Sequence, residues 1–232
     1  MRKLILQDID GISFPFKKQF CAYLRGEGLL PEGVIKNYED SDYIYFHDYF
    51  LNNGFDISEL GFQEDSELIK WFRKIVKDFG DSSYFVEGYN EELRELNKEL
   101  KKDGFEIHGL TARCCDKNPD ITYNNARKST ELWSERYDIG FETIHYRGTK
   151  IKHEILDNVG DVVCMIDDTP SALEGFLKRG VPCVLLRDGH PHKEDYIEFL
   201  KEEYGDLLEI VNDLDGIKNA VRKFESRLHG RS

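Results

Sequence analysis

The chain has 232 residues, 40% of them hydrophobic and 12% aromatic, and a formal net charge of −13. That is enough for one large domain, or a core domain with an insert. So acidic a surface repels polyanions and excludes sequence-independent binding to duplex DNA, but a local basic pocket and a metal can still hold a small phosphorylated ligand.

The first predicted element is Leu4-Ile5-Leu6, an apolar run suited to a buried central strand. It runs into Asp8 and Asp10, followed by Gly11. Two carboxylates at the end of a buried strand are costly without a cation, which points to a metal-assisted site; an Asx turn is the plainer alternative. The start is too short in its apolar part for a signal peptide, and no stretch approaches the roughly 20 apolar residues of a membrane span. Five cysteines (Cys21, Cys114, Cys115, Cys164, Cys183) form no CxxC pair. Cys164 and Cys183 read as buried small residues, and the vicinal Cys114-Cys115 has a reactive or metal role only as a minor alternative. This usage suits a reducing compartment, so a cytoplasmic protein is expected.

After Phe14-Pro15-Phe16, Lys17 to Arg25 reads as a helix that Gly26 to Pro31 breaks. From Val34 to about Gly80 the pattern is irregular and aromatic, with Tyr38, Tyr43, Tyr45, Phe46, Tyr49, Phe50, Phe55 and Phe62. Leu68-Ile69, Phe72 and Ile75-Val76 have helical spacing, and no alternation argues for a sheet. Residues 14–84 are therefore expected to form a mostly helical insert, with its aromatics as core rather than a base-stacking platform. Asn90 caps a helix from Glu91 to Lys102 that Asp103-Gly104 ends. A second strand, Phe105 to Leu110, terminates in Thr111-Ala112-Arg113. A polar loop, Asp116 to Asp120, leads to a helix from Ala126 to Tyr137.

A third strand, Phe141 to Tyr146, precedes a basic turn, Arg147 to His153, that opens a helix through Leu156. The fourth strand, Val162 to Ile166, is wholly apolar and ends in Asp167-Asp168-Thr169-Pro170. A helix from Ser171 to Lys178 closes at Gly180, and Val181 to Leu186 is a fifth strand. The tail carries a helix at Glu194 to Glu203, a short apolar piece at Leu207 to Val211 and a last helix near Leu214 to Leu228.

Strands alternating with helices predict an α/β fold: a Rossmann-like parallel sheet sandwiched by helices. Its core is residues 1–13 and 85–232. Ligands of such sheets bind outside the carboxyl ends of the strands, where Asp8, Asp10, Thr111, Asp167 and Asp168 fall, with Lys150 and Lys152 beside them. Clustered carboxylates call for a hard divalent cation such as Mg²⁺, which takes carboxylates plus substrate phosphate. Adding a hydroxyl and a lysine completes an inventory for phosphoryl transfer.

In this order the residues resemble the haloacid dehalogenase superfamily of phosphohydrolases, with four motifs at 3–12, 105–113, 148–152 and 162–168. The resemblance covers the core to about residue 190 but not the insert, which stands where the family places its first type of cap. It implies Asp8 as the nucleophile that becomes phosphoaspartate. Asp10 would be general acid and base, its backbone carbonyl also on the metal. Thr111 would hold the phosphoryl group, Lys150 would neutralise charge, and Asp167 and Asp168 would complete the Mg²⁺ ligands. Ile12 departs from the usual Thr or Val. Lys152 is the alternative to Lys150, which is preferred because it follows Gly148-Thr149 at the helix mouth. Asp10 argues for a phosphatase over a dehalogenase.

Thr111-Ala112-Arg113 and Asp167-Asp168-Thr169-Pro170 look like the deoxyribonucleotidase and 5′-nucleotidase branch, which implies a small nucleotide substrate. Arg113 contacts phosphate on that reading, or forms a structural salt bridge at the start of a helix. Phe14, Phe16, Tyr43, Tyr45 or Phe46 would stack on a base, if any does. His190 and His192 read as a polar loop rather than a zinc site. The alternatives are a phosphatase acting on a nucleic-acid end or a phosphoprotein, which the charge disfavours, and an inactive binding or regulatory module on the same scaffold.

Overall fold

The computed structural model describes residues 3–41, 49–50, 56–113, 124–187 and 194–229. Tyr43, Tyr45, Phe46, Phe55, Cys114, Cys115, the loop 116–120, His190 and His192 lie outside them. Six parallel strands form one sheet: β1 (Lys3–Asp8), β2 (Phe105–Thr111), β3 (Thr143–Tyr146), β4 (Val162–Asp167), β5 (Cys183–Leu186) and β6 (Leu208–Val211). Their order is β3-β2-β1-β4-β5-β6. The apolar piece at 207–211 is thus a sixth strand, paired with β5 from Cys183↔Leu208 to Leu186↔Val211. The order reverses between β1 and β4, which leaves a crevice beyond their carboxyl ends.

Side chains alternate across the pleat, so each strand feeds two cores. Leu4, Leu6, Leu110, Met165, Cys183 and Leu185 face helices α6 (Pro170–Leu177) and α7 (Glu194–Tyr204), which contribute Leu173, Phe176, Ile197 and Leu200. Ile5, Ile107, Ile166 and Val184 face α4 (Glu91–Lys102) and α8 (Leu214–His229), which contribute Leu93, Leu96, Leu100, Ile217, Val221 and Phe224. Asn90 caps α4 through its side-chain oxygen, which accepts from the Leu93 N–H at 3.1 Å. Cys164 and Cys183 are buried thiols, as expected.

Between β1 and β2 lie α1 (Phe16–Gly26), α2 (Glu32–Glu39), α3 (Asp65–Gly80) and two short 3₁₀ turns, Ile57–Leu60 and Ser83–Val86. No strand occurs among the described residues of this segment. Its aromatics make a third core: Phe14, Phe20, Tyr23, Tyr38, Phe50, Phe72, Phe79 and Phe85, joined by Trp133 of α5 (Asn124–Arg136). Phe79 packs edge-on against Phe16, Phe20 and Phe85 at 5.4–5.6 Å, the geometry that ring quadrupoles favour. Phe14 is fully buried here, which removes it as a base-stacking surface. Phe16 stacks on Phe20 in the same core.

One element differs in kind. The segment after β3 is a 3₁₀ helix, Thr149–Asp157, not an α-helix. With three residues per turn, Lys152 and Ile155 share one side, and both are buried. Among the described residues no helix is long and apolar enough to cross a membrane.

Candidate active site

The crevice between β1 and β4 holds a compact charged group. Asp8 ends β1 and Asp167 ends β4; they are 5% and 0% exposed. The Lys152 ammonium bridges them, 2.8 Å from Asp8 Oδ1 and 2.8 Å from Asp167 Oδ2. Asp167 Oδ1 accepts from the Thr169 N–H at 2.8 Å. That bond orients the carboxylate and fixes the turn into α6, whose first residue, Pro170, has no N–H to satisfy. Asp168 is also buried, with the Thr169 hydroxyl 3.4 Å from its Oδ1. Each of Asp8, Asp167 and Asp168 offers an oxygen within 4.8 Å of the other two. Behind them Gly11 has φ +80°, and a Cβ there would stand 2.0 Å from Asp168 Oδ2. A side chain at position 11 would therefore be strained and would displace Asp168.

The electrostatics follow from this packing. Burial first, then the Asp167 carboxylate, push the Asp8 carboxyl up to about 8, with Lys152 pulling the other way. Burial alone would pull the Lys152 ammonium down. The Asp167 and Asp8 carboxylates together outweigh it and hold the group well above the ordinary lysine range. Three buried carboxylates against one ammonium leave an excess of negative charge. Hard oxygen donors in that number and closeness fit a small divalent cation of the Mg²⁺ type.

Thr111 ends β2 and is fully buried. Its hydroxyl donates to Asp10 Oδ2 at 3.3 Å and accepts from the Arg113 N–H at 3.1 Å. Asp10 is held by Arg113, whose Nε lies 3.0 and 2.9 Å from its two carboxylate oxygens.

Solved structures share this architecture. A candidate phosphatase from Clostridium difficile superposes with a TM-score of 0.56 at 20% identity, over 95% of this chain and 98% of that one. A phosphonoacetaldehyde hydrolase-like protein from Oleispira antarctica gives 0.56 at 12% identity, over 98% and 94%. A candidate haloacid dehalogenase-like hydrolase from Bacteroides fragilis gives 0.53 at 15% identity, over 92% and 98%. The fold is haloacid dehalogenase-like. No family model and no curated protein matches the sequence.

On this haloacid dehalogenase-like scaffold, the structure brings Asp8, Asp167 and Asp168 together, with Asp10 and Thr111 beside them. It also places the two lysines, Asp10 and Arg113. The lysine in the crevice is Lys152, because the 3₁₀ winding turns it inward. Lys150 is exposed and lines a separate groove with His153, Ser171 and Lys178. The Asp10 carboxylate stands with Arg113 and Thr111 rather than within the three-acid group, so as a metal ligand it has only its backbone carbonyl to offer. Arg113 forks onto Asp10 instead of standing free for phosphate; the salt-bridge alternative describes its geometry. Sequence reasoning missed the Thr169 N–H and the rings around Arg113. For the first, the Asp-x-Thr-Pro pattern before a helix carried a usable signal: an Asp carboxylate two residues before a backbone N–H has the spacing of an Asx turn.

Proposed function

We propose that this protein is a Mg²⁺-dependent phosphomonoesterase that works through a phosphoaspartate on Asp8, with a small nucleotide as substrate. The observation that carries the reading is the Asp8–Lys152–Asp167 bridge at the sheet's switch point, with Asp168 closing a three-carboxylate group. Asp8, Asp167 and Asp168 would hold the cation, which when bound supplies charge neutralisation for the phosphoryl oxygens.

The chain's own residues divide the work. An Asp8 oxygen attacks phosphorus; its bond to phosphorus forms as the ester P–O bond breaks. Asp10 gives its proton to the departing alcohol oxygen, then takes one from the water that attacks the phosphoryl group. The P–O bond to Asp8 breaks, inorganic phosphate leaves, and the Asp8 carboxylate is restored. Lys152 and the Thr111 hydroxyl hold the oxygens of the phosphoryl group in transit. The helical segment 14–84 serves as a cap that shapes access. The nucleotide preference rests on the Thr111-Ala112-Arg113 and Asp167-Asp168-Thr169-Pro170 patterns. The net charge of −13 favours a mononucleotide over a nucleic-acid end. The full set of motif residues argues against an inert module.

The test is phosphate release from p-nitrophenyl phosphate and a nucleotide panel with Mg²⁺ present. Release should be abolished by EDTA and by Asp8→Asn. Silence across a broad ester panel would overturn the reading.

A further inference from the structure

Arg113 is enclosed by rings and hydrogen-bond partners. Its side chain is 6% exposed. The guanidinium carbon lies 4.2 Å from the Phe85 ring centre, 4.5 Å from Phe14 and 5.8 Å from Trp133. These rings are fixed in turn. Phe14 meets Trp133 edge-on at 5.7 Å and Phe85 at a tilt at 5.5 Å, and Trp133 Nε1 donates to the Gly88 carbonyl at 2.8 Å. From inside this box Nε and Nη2 fork onto both oxygens of Asp10, and Nη1 donates to Thr130 Oγ1 at 3.1 Å. Its backbone N–H holds the Thr111 hydroxyl, which itself donates to Asp10. None of its hydrogen bonds goes to Asp8, Asp167 or Asp168. The Asp10 side chain is itself 28% exposed.

We propose that Arg113 is the positioning residue for Asp10: the aromatic box of Phe14, Phe85 and Trp133 fixes the guanidinium, and the guanidinium fixes the carboxylate that transfers the proton. This role rests on the phosphatase reading of the same site. A bidentate fork locks a carboxylate's torsion in a way that one point charge cannot. Stacking on aromatic faces holds the cation without using its hydrogen bonds. Two of the three rings, Phe14 and Phe85, flank the 14–84 segment at either end, so the box ties Asp10 to the junction of that segment with the sheet.

The role has a signature that a substrate-binding arginine lacks. Esters with poor leaving groups need a proton on the departing oxygen, whereas p-nitrophenolate leaves without one. In both cases the second step needs Asp10 as base. In Arg113→Met, an alkyl phosphate should therefore lose about a hundredfold in kcat. p-Nitrophenyl phosphate should still give a burst of one nitrophenolate per site, followed by slow turnover. KM should not rise for either ester, and for p-nitrophenyl phosphate it should fall as the second step becomes limiting. Arg113→Lys should rescue little, because an ammonium cannot form the fork. Phe85→Leu, which keeps the fold's charges and loosens the box along with the ring contact to Phe79, should move the ratio of the two rates in the same direction by a smaller factor. Equal losses on both esters with a raised KM, or unchanged kinetics in both Arg113→Met and Phe85→Leu, would overturn the role while leaving the phosphatase reading intact. A wild-type protein inert toward both esters would overturn both.

Discussion

Lys152 is the residue whose environment is most demanding. It is 3% exposed, and both its partners are buried carboxylates. Removing one partner of a buried ion pair costs more than the pair contributes, because the remaining charges lose compensation. Lys152→Met should destabilise the protein by about 3–5 kcal/mol without divalent cation. It should also abolish phosphate release, since the phosphoryl oxygens lose the ammonium that shares their charge with the bound cation. Lys150→Met should leave both properties near wild type, because that side chain is exposed and away from Asp8. Denaturant titration with a turnover assay on each variant checks the pair. A silent Lys152→Met beside an inactive Lys150→Met would reverse the assignment. The sequence contains both lysines at nearly the same place, and only the winding of the segment separates them. An α-helical period puts no special weight on position 152; a period of three pairs it with Ile155.

Elements were legible where local pattern and tertiary burial agree. The run Leu4-Ile5-Leu6 and the run Val162 to Ile166 are apolar on both faces because helices cover both sides of the sheet. Their acidic ends mark the crevice directly. Asn90 and Gly104 bound α4 through a side-chain cap and a positive φ, both local signals. The ring box around Arg113 was not legible, because Phe14, Phe85 and Trp133 come from three separated segments and meet only in the fold. The same holds for a partly buried polar pair on β2 and β3. His108 Nε2 lies 2.7 Å from Glu106 Oε1, and His108 Nδ1 lies 2.9 Å from His145 Nε2. With the Glu106 carboxylate accepting from Nε2–H, His108 Nδ1 is the acceptor and His145 Nε2–H the donor. Burial first, then His108 and Arg147, pull the His145 imidazole down from its ordinary 6.5 to about 4. The unfolded chain then binds the proton that folded His145 refuses, so stability is lost as pH falls from about 6.5 toward 4. His145→Gln should flatten that acid limb relative to wild type in melting curves taken across the interval. An unchanged limb would show that other groups carry it.

At the scale of the whole molecule, folding encloses more negative charge in the crevice than the chain can neutralise. Asp8 takes up the imbalance: its ordinary value of 3.8 rises to about 8 on folding. Between those values the folded protein keeps a proton that the unfolded chain has already released. Stability without divalent cation should therefore fall as pH rises from about 4 to 8, the opposite sense to His145. A divalent cation competes with that proton for the same oxygens, so its stabilising effect should grow with pH. Melting temperatures in EDTA and in excess Mg²⁺, at about pH 5 and about pH 8, make the comparison, each kcal/mol moving Tm by about 2–4 °C in a chain of this size. The gap between the EDTA and Mg²⁺ curves should be wide at the higher pH and narrow at the lower. Asp8→Asn carries no titrating group at that position, so it should lose the crevice's share of the pH dependence and melt higher than wild type in EDTA at the higher pH. Self-repulsion from the net charge of −13 also weakens the compact state as pH rises, but it acts equally on the variant. The difference between wild type and Asp8→Asn therefore isolates the crevice. A Mg²⁺ effect of the same size at both pH values would mean that the cation binds somewhere other than Asp8.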